Sequence, residues 1–491
     1  MVSTTRVLLV FVYIVAILLV ISLLPREIHF FGNQVLRIPQ LSDVFSSRDT
    51  PPRYADISQL QKDFEKNNIT EKVEKKEVKI EFRTFKPDTL RLRPHLRIQY
   101  ADMPQADTAL YPFFRALQNL EKSKEHIRVL HYGDSQLEGD RITAFLREKF
   151  QAEFGGSGVG MVDIVDNLHT KTCISQKASA NWIQSAIFGK NTYRLGKSNY
   201  FGVMGHVYKF YIPPAQPAGK RTKIQSMVYY AKNPHATPRQ QKVENVKIMF
   251  RNPEAPFELQ IESQSDSSIR QEIPVNKDFQ IYEYPIRGEF ENIRITFSSN
   301  VASPEVLGVS LDANFGITFD NIPLRGSSGV EFTRINREYF KQQIEKLNVK
   351  CMILQFGVNI VPYILNDYTF YEDQLVEQLN FLKSLNEQMS ILVIGVSDMS
   401  RRSISGFETY PNVEKIRNAQ KKAAFRTGCA FWDLYEAMGG RNSMPSWVMA
   451  NPPLATKDFI HFTERGAQLV AEMLYQALIT EYSEFYKRNI P

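Results

Sequence analysis

The stretch VLHYGDSQLEGDR, residues 129–141, runs from apolar residues into Gly133-Asp134-Ser135 and then into charge. Gly, Asp and Ser are ordinary turn formers. A serine just past the end of a buried strand is also where α/β folds hold groups against a ligand. Its hydroxyl needs a base to become a nucleophile. Of the eight histidines, His461 stands in KDFIHFTERGAQ, three residues after Asp458 and just before a helix-like segment. At that spacing Asp458 can fold back onto one imidazole nitrogen and leave the other to take the Ser135 proton. Taken alone, the same four residues also read as a surface loop ahead of a helix that starts near Thr463.

Acyl transfer further needs donors for an oxyanion. The Ser135 N–H, at the start of its helix, is one. LRGSSG, residues 324–329, supplies Gly326, whose N–H can approach a substrate closely. FGVN, residues 356–359, supplies the Asn359 side chain. One such donor contributes about 2.7–4 kcal/mol in the transition state. This chemistry calls for no metal or cofactor. Cys173, Cys351 and Cys429 form no CxxC pair, which argues against structural zinc, and their apolar or small neighbours point to packing.

The elements around these residues have clear periods. TALYPFFRALQNLEKSKE has Leu110, Phe113, Phe114 and Leu117 on one helical face, HIRVLHY reads as a strand, and DRITAFLREKFQAEF as a second helix. Ser135 therefore sits at a strand–turn–helix junction. Between about 165 and 310, NVKIMFR, FELQIES and NIRITFSS alternate apolar and polar residues, as half-buried antiparallel strands do, and an all-β sandwich is expected. Beyond it, helices around 333–347, 371–388 and 412–426 alternate with the strands VKCMILQFGVN, SILVIGVSD and CAFWDLYEAMGG. That alternation implies a parallel sheet covered on both faces, with the β unit inserted into it. No internal repeat is evident.

Gly-Asp-Ser, then a G-x-x-G turn, then G-x-N, then a C-terminal D-x-x-H, in that order, resembles the SGNH (GDSL) hydrolase family. The resemblance implies a flavodoxin-like α/β/α fold with Ser135, Asp458 and His461 as triad, and Ser135, Gly326 and Asn359 as oxyanion hole. GDSQLEGDRITAFLREKFQAEFGGSGVGMV, AMGGRNSMPSWV and DFIHFTERGAQLVAEML are similar to the bacterial peptidoglycan O-acetylesterase branch. In that branch a β jelly roll resembling a carbohydrate-binding module is inserted between the serine and glycine blocks. The resemblance covers roughly residues 105–485. Two departures stand out: Gln136 follows the serine where Leu is common, and the third block reads G-V-N-I rather than G-x-N-D. Gln136 and Trp447, in the SMPSWV loop, are candidate substrate contacts.

The 491 residues carry 43% hydrophobic and 23% charged side chains, a normal globular balance for two or three folded units. Net charge is +7, spread along the chain without a basic block or a nucleic-acid motif, so nucleic-acid binding is not expected. Arg6 precedes an uncharged run from Val7 to Leu24, followed by Pro25-Arg26, which predicts an uncleaved, single-pass anchor over 1–25. Residues 26–104 read as a solvated stalk, with VKIEFRTF and LRLRPHLRIQY as short strands. Residues 105–165 with 311–491 are the expected hydrolase domain, and 166–310 the β insert.

The expected function is that of an esterase held at a bacterial inner membrane with its bulk outside the cytoplasm. It would remove O-acetyl groups from an extracytoplasmic glycan, peptidoglycan foremost, through an acetyl-serine. Two alternatives stay open. One is an acetyltransferase that uses the same serine, fed by a membrane-bound acyltransferase partner. The other is a glycan-binding protein with a disused triad.

Overall fold

The computed structural model describes residues 4–21, 23, 27–30, 34–37, 52–69, 92–166, 171–189, 195, 198–214, 221–264 and 266–489. The chain divides into two compact units, 1–53 with 402–408, and 54–401 with 409–491. The smaller unit holds the helix Thr4–Ile21 and a hairpin of Glu27–Phe30 with Gln34–Arg37.

The expectation of a membrane anchor is corrected here. Among the described residues no helix is long and apolar enough to cross a membrane. Thr4–Ile21 opens on Thr-Thr-Arg, and its uncharged part, from Val7, spans only about 22 Å at ~1.5 Å per residue. A hydrocarbon core is about 30 Å thick. The single-pass inner-membrane location built on that anchor falls with it.

In the larger unit the central sheet has six strands: β1 Ile98–Gln99, β2 His126–Gly133, β3 Gly316–Pro323, β4 Val349–Gln355, β5 Ser390–Ile394 and β6 Ala430–Trp432. They lie in the order β3-β2-β4-β5-β6-β1. Neighbours from β3 to β6 are parallel, and β1 closes the edge antiparallel to β6. The expectation of a parallel sheet therefore needs correction. This sheet is mixed, and among the described residues two large antiparallel sheets and two two-stranded sheets accompany it, so the chain as a whole is mixed α/β. Residues 94–96 form a 3-10 turn ahead of β1, while VKIEFRTF lies outside the described residues.

Side chains alternate across the sheet with the strand period. Leu130, Tyr132, Met352, Leu354, Ile391 and Val393 join the helices Arg337–Lys346, Thr369–Lys383 and Val413–Arg426 in one core. On the other face, Phe150 of the helix Thr143–Phe154 meets Phe319 at 4.6 Å and Tyr475 of Glu464–Arg488 at 5.4 Å. Part of the segment read as a stalk is packed as well. Ile57 and Phe64 are buried, and Ser446 donates to the Ala55 carbonyl at 2.6 Å.

The β region forms a six-stranded and a five-stranded antiparallel sheet around a shared apolar core that includes Tyr208, Ile248, Phe257, Phe297 and Leu311. Gly158–Val162, expected with the hydrolase part, pairs antiparallel with Glu305–Asp312. A buried charge network joins this region to the central sheet. Arg128 of β2 donates to both Asp320 oxygens at 3.1 and 3.0 Å, to Ser310 at 2.8 Å, and to Asp312. Asp320 in turn accepts the Met161 N–H at 2.7 Å. Arg128, Asp312 and Asp320 are all fully buried. Removing one member strands the others' charge, which costs about 3–5 kcal/mol. Arg128→Met is therefore expected to lower unfolding free energy by about 3–5 kcal/mol, read from urea titrations followed by tryptophan fluorescence.

Candidate active site

The three central strands end level. Pro323 of β3 pairs with Gly133 of β2, and Gln355 of β4 pairs with the same Gly133. The Leu324 N–H donates to the Gly133 carbonyl at 2.7 Å, and the Asp134 N–H to that of Gln355 at 3.3 Å. The segments carrying Ser135, Gly326 and Asn359 thus leave the sheet side by side. In chain order the five parallel strands run 2-1-3-4-5, and Ser135 and Asn359 flank the point where the order reverses, the usual ligand crevice of such sheets.

Ser135 opens a 3-10 turn, Ser135–Asp140, and is 8% exposed. Asp134 caps it, accepting the Gln136 N–H at 3.0 Å. The Ser135 hydroxyl lies 2.8 Å from His461 Nε2, and His461 Nδ1 lies 2.7 Å from Asp458 Oδ2. The other Asp458 oxygen accepts the Thr456 hydroxyl at 2.6 Å, the Ile460 N–H at 2.9 Å and the His461 N–H at 3.1 Å. Burial pushes the Asp458 carboxyl up, but the bonds from His461, Thr456 and the two amides outweigh it and hold the group at about 2. Asp458 is thus an anion beside the ring, with Nδ1–H as donor and Nε2 free to accept the serine proton.

The loop around the histidine is internally tied. Ala455 and Phe462 bridge it, and Thr456 N–H and hydroxyl both donate to the His461 carbonyl, at 2.8 and 3.1 Å. Phe459 takes a left-handed φ of 61° between Asp458 and His461. The helix that follows is capped by Thr463, whose hydroxyl accepts the Gly466 N–H at 3.2 Å. Gly466 is required there, because a Cβ would stand 1.8 Å from the Leu454 carbonyl oxygen.

Gly326 has φ +86°, and the space a Cβ would take there is bordered by the Phe188 ring at 3.4 Å. Asn359 Nδ2 donates to the Ser327 carbonyl at 2.9 Å, tying the asparagine loop to the glycine loop. Ser327 is itself buried and donates to Glu331 at 2.6 Å. Gln136 and Trp447, read as substrate contacts, point away from solvent. Gln136 is 2% exposed, and its amide reaches the Ile460 carbonyl at 2.7 Å. Trp447 is fully buried, donating to Met438 at 3.0 Å and packing on Phe462 from behind the histidine loop.

Three ties escaped sequence reading. Thr456 holds Asp458, Arg141 Nη1 donates to the Phe462 carbonyl at 2.7 Å, and Asp134 gathers amides from Gln136, Val358 and Gly357. Thr456, two residues before Asp458, was the one local signal available. Apart from the local Asp134–Gln136 bond, the others depend on contacts between distant segments.

No family model matches this sequence, and no curated protein does. Among solved structures, the chain is similar to a peptidoglycan O-acetylesterase at 18% identity, covering 77% of this chain and 97% of that one, with a TM-score of 0.58. The chain has the fold of that peptidoglycan O-acetylesterase. An acetyl xylan esterase matches over 33% of this chain and 81% of its own at 16% identity and a TM-score of 0.26. The carbohydrate-binding module TmCBM61, solved with β-1,4-galactotriose, matches over 29% of this chain and 86% of its own, at 9% identity and a TM-score of 0.18. Partial matches of this kind carry no argument. The peptidoglycan O-acetylesterase fold spans nearly the whole of its own chain here, so β region and α/β region are matched together.

Burial drives the Asp134 carboxyl up to about 7, against the amides of Gln136 and Val358, the charge of His461 and the amide of Gly357, which act to lower it. A carboxyl whose folded pKa is raised binds more protons folded than unfolded between pH ~4 and ~7, so it makes stability fall as pH rises through that window. Asp458 acts the other way, its contribution being present above pH ~4 and lost as pH falls towards 2. Asp134→Asn should therefore flatten the decline in stability between pH 4 and 7, measured by denaturant midpoints across pH. An unchanged slope would show that Asp134 is ionised throughout.

Proposed function

We propose that this protein is a serine esterase that removes O-acetyl groups from a glycan, with peptidoglycan as the foremost substrate. The observation that carries the reading is the unbroken hydrogen-bond chain Ser135–His461–Asp458 at the carboxyl edge of the sheet, in a chain with the fold of a peptidoglycan O-acetylesterase.

In this reading His461 Nε2 takes the Ser135 proton as Oγ attacks the acetyl carbonyl. Asp458, held ionised by its donors, stabilises the imidazolium that forms. The Ser135 and Gly326 N–H groups and the second Nδ2 hydrogen of Asn359, whose first is on the Ser327 carbonyl, are the donors this reading assigns to the oxyanion, each worth about 2.7–4 kcal/mol in the transition state. The tetrahedral species collapses as the sugar oxygen leaves, taking its proton from His461. Water then attacks the acetyl-serine with His461 again as base, and acetate departs. All the proton transfers use side chains of this chain, and His461, 29% exposed at its side chain, is reachable by solvent for the second half-reaction.

Acetate release from O-acetylated peptidoglycan and from p-nitrophenyl acetate tests this directly. Ser135→Ala should lower kcat by roughly 10⁴- to 10⁶-fold, and Asp458→Asn by about 10⁴-fold, because the amide cannot hold the required imidazole tautomer. Accumulation of acetyl on added glycan acceptors with little free acetate would instead assign a transferase. Wild-type protein as inert as Ser135→Ala, while still retained on the glycan, would assign a binding protein.

A further inference from the structure

The residue after the nucleophile raises a separate question. Gln136 is 2% exposed, and its Oε1 has no partner among the described residues. An unpaired buried acceptor costs stability. Gln136 lines a small cavity together with Asp134, Gln355 and Ser397. For packing alone, Gln136 is a poor choice. Its other amide atom has a definite task. Nε2 donates to the Ile460 carbonyl at 2.7 Å and stands 3.4 Å from the Ser397 hydroxyl.

Ile460 immediately precedes His461. On the far side of His461, the Phe462 carbonyl accepts Arg141 Nη1 at 2.7 Å, while Arg141 Nε is fixed on the Glu138 carbonyl at 2.8 Å. Both donors belong to the same short segment, 135–141, that begins with Ser135. The Gln136 N–H is anchored in turn on Asp134 at 3.0 Å. The peptide carbonyls that flank the base are therefore gripped by the segment that carries the nucleophile.

We infer that Gln136 and Arg141 are positioning residues that clamp the backbone on either side of His461 and so fix the register of its imidazole against the Ser135 hydroxyl. The Ser135–His461 contact joins residues 326 positions apart. The triad's own bonds orient the ring on Asp458, but Asp458 rides on the same loop as His461 and cannot fix that loop relative to Ser135. The clamp supplies this missing constraint. A displacement of about 1 Å between reacting groups can cost on the order of 100-fold in rate.

The kinetic arm of the test rests on the esterase reading above; the spectroscopic arm does not. Gln136→Met keeps the volume, removes the donor to Ile460 and removes the unpaired oxygen. It is expected to melt no lower than wild type, yet to lose between about 10- and 100-fold in kcat with KM unchanged. In the full-length protein, the ¹⁵N-labelled His461 ring should move from one hydrogen-bonded Nε2 signal in wild type to an exchange-broadened or shifted one. Arg141→Lys, which keeps charge but cannot hold two carbonyls in a fork, should act in the same direction and serves if Gln136→Met does not fold. Wild-type kcat together with an unchanged ring signal in either folded variant overturns the clamp. If the wild type turns over no acetyl ester, the esterase reading fails while the ring signal still decides the clamp.

Discussion

The level ending of β3, β2 and β4 is the constraint on which the site depends. Parallel pairing sets Pro323, Gly133 and Gln355 in one row, and each strand releases its chain within a few residues of that row. The serine, glycine and asparagine loops can then share one rim without any of them being long. Short exits matter because a long loop would pay conformational entropy to hold a group still. Here the loops are instead braced against one another, Asn359 on Ser327 and Asp134 on the asparagine loop's amides.

His461 arrives from the other end of the chain, and its precision has a different source. Asp458, Thr456 and the bridge between Ala455 and Phe462 make the histidine loop a small rigid body with its ring already aimed. Gly466, which no larger residue could replace against Leu454, lets that body sit flush on the helix that follows. Trp447 fills the space behind it. Gln136 and Arg141 join this body to the serine segment. Polar groups that bridge segments distant in sequence do here what apolar packing alone does loosely, since a hydrogen bond specifies direction as well as proximity.

The β region is bound to the central sheet by more than a pair of chain crossings. Arg128 belongs to the serine strand itself, and its guanidinium is shared by Asp320 of β3 and by Ser310 and Asp312 of the antiparallel sheet. Nη1 and Nη2 of this fully buried arginine are matched by Asp320, Ser310 and Asp312, which is what a buried charge needs to remain in place. The strand that leads into Ser135 is thus held from behind by the antiparallel sheet. Phe188, which extends from that region to Gly326, brings it to the site as well.

Much of the candidate site, as a set of residues that the fold brings together, was legible in the sequence, and the reason is local. The triad loop is a run of eight residues whose spacing already permits Asp458 to meet His461, and strand–turn–helix periodicity locates Ser135. Alternation of period two and period 3.6 likewise separates the β region from the α/β region, because both periods belong to single elements. The sequence did not determine which strands pair, or in what register, and so could not bring Ser135 to His461. It left Gln136 and Trp447 as apparent substrate contacts, since the direction of a side chain beyond its own element depends on what packs around it. It also let the apolar run after Arg6 read as a membrane span, when the helix formed there is too short and too polar at its start. Residue chemistry and period are properties of neighbours along the chain. Register, burial and the clamp on His461 come from contacts between segments hundreds of residues apart, and only the tertiary structure decides those.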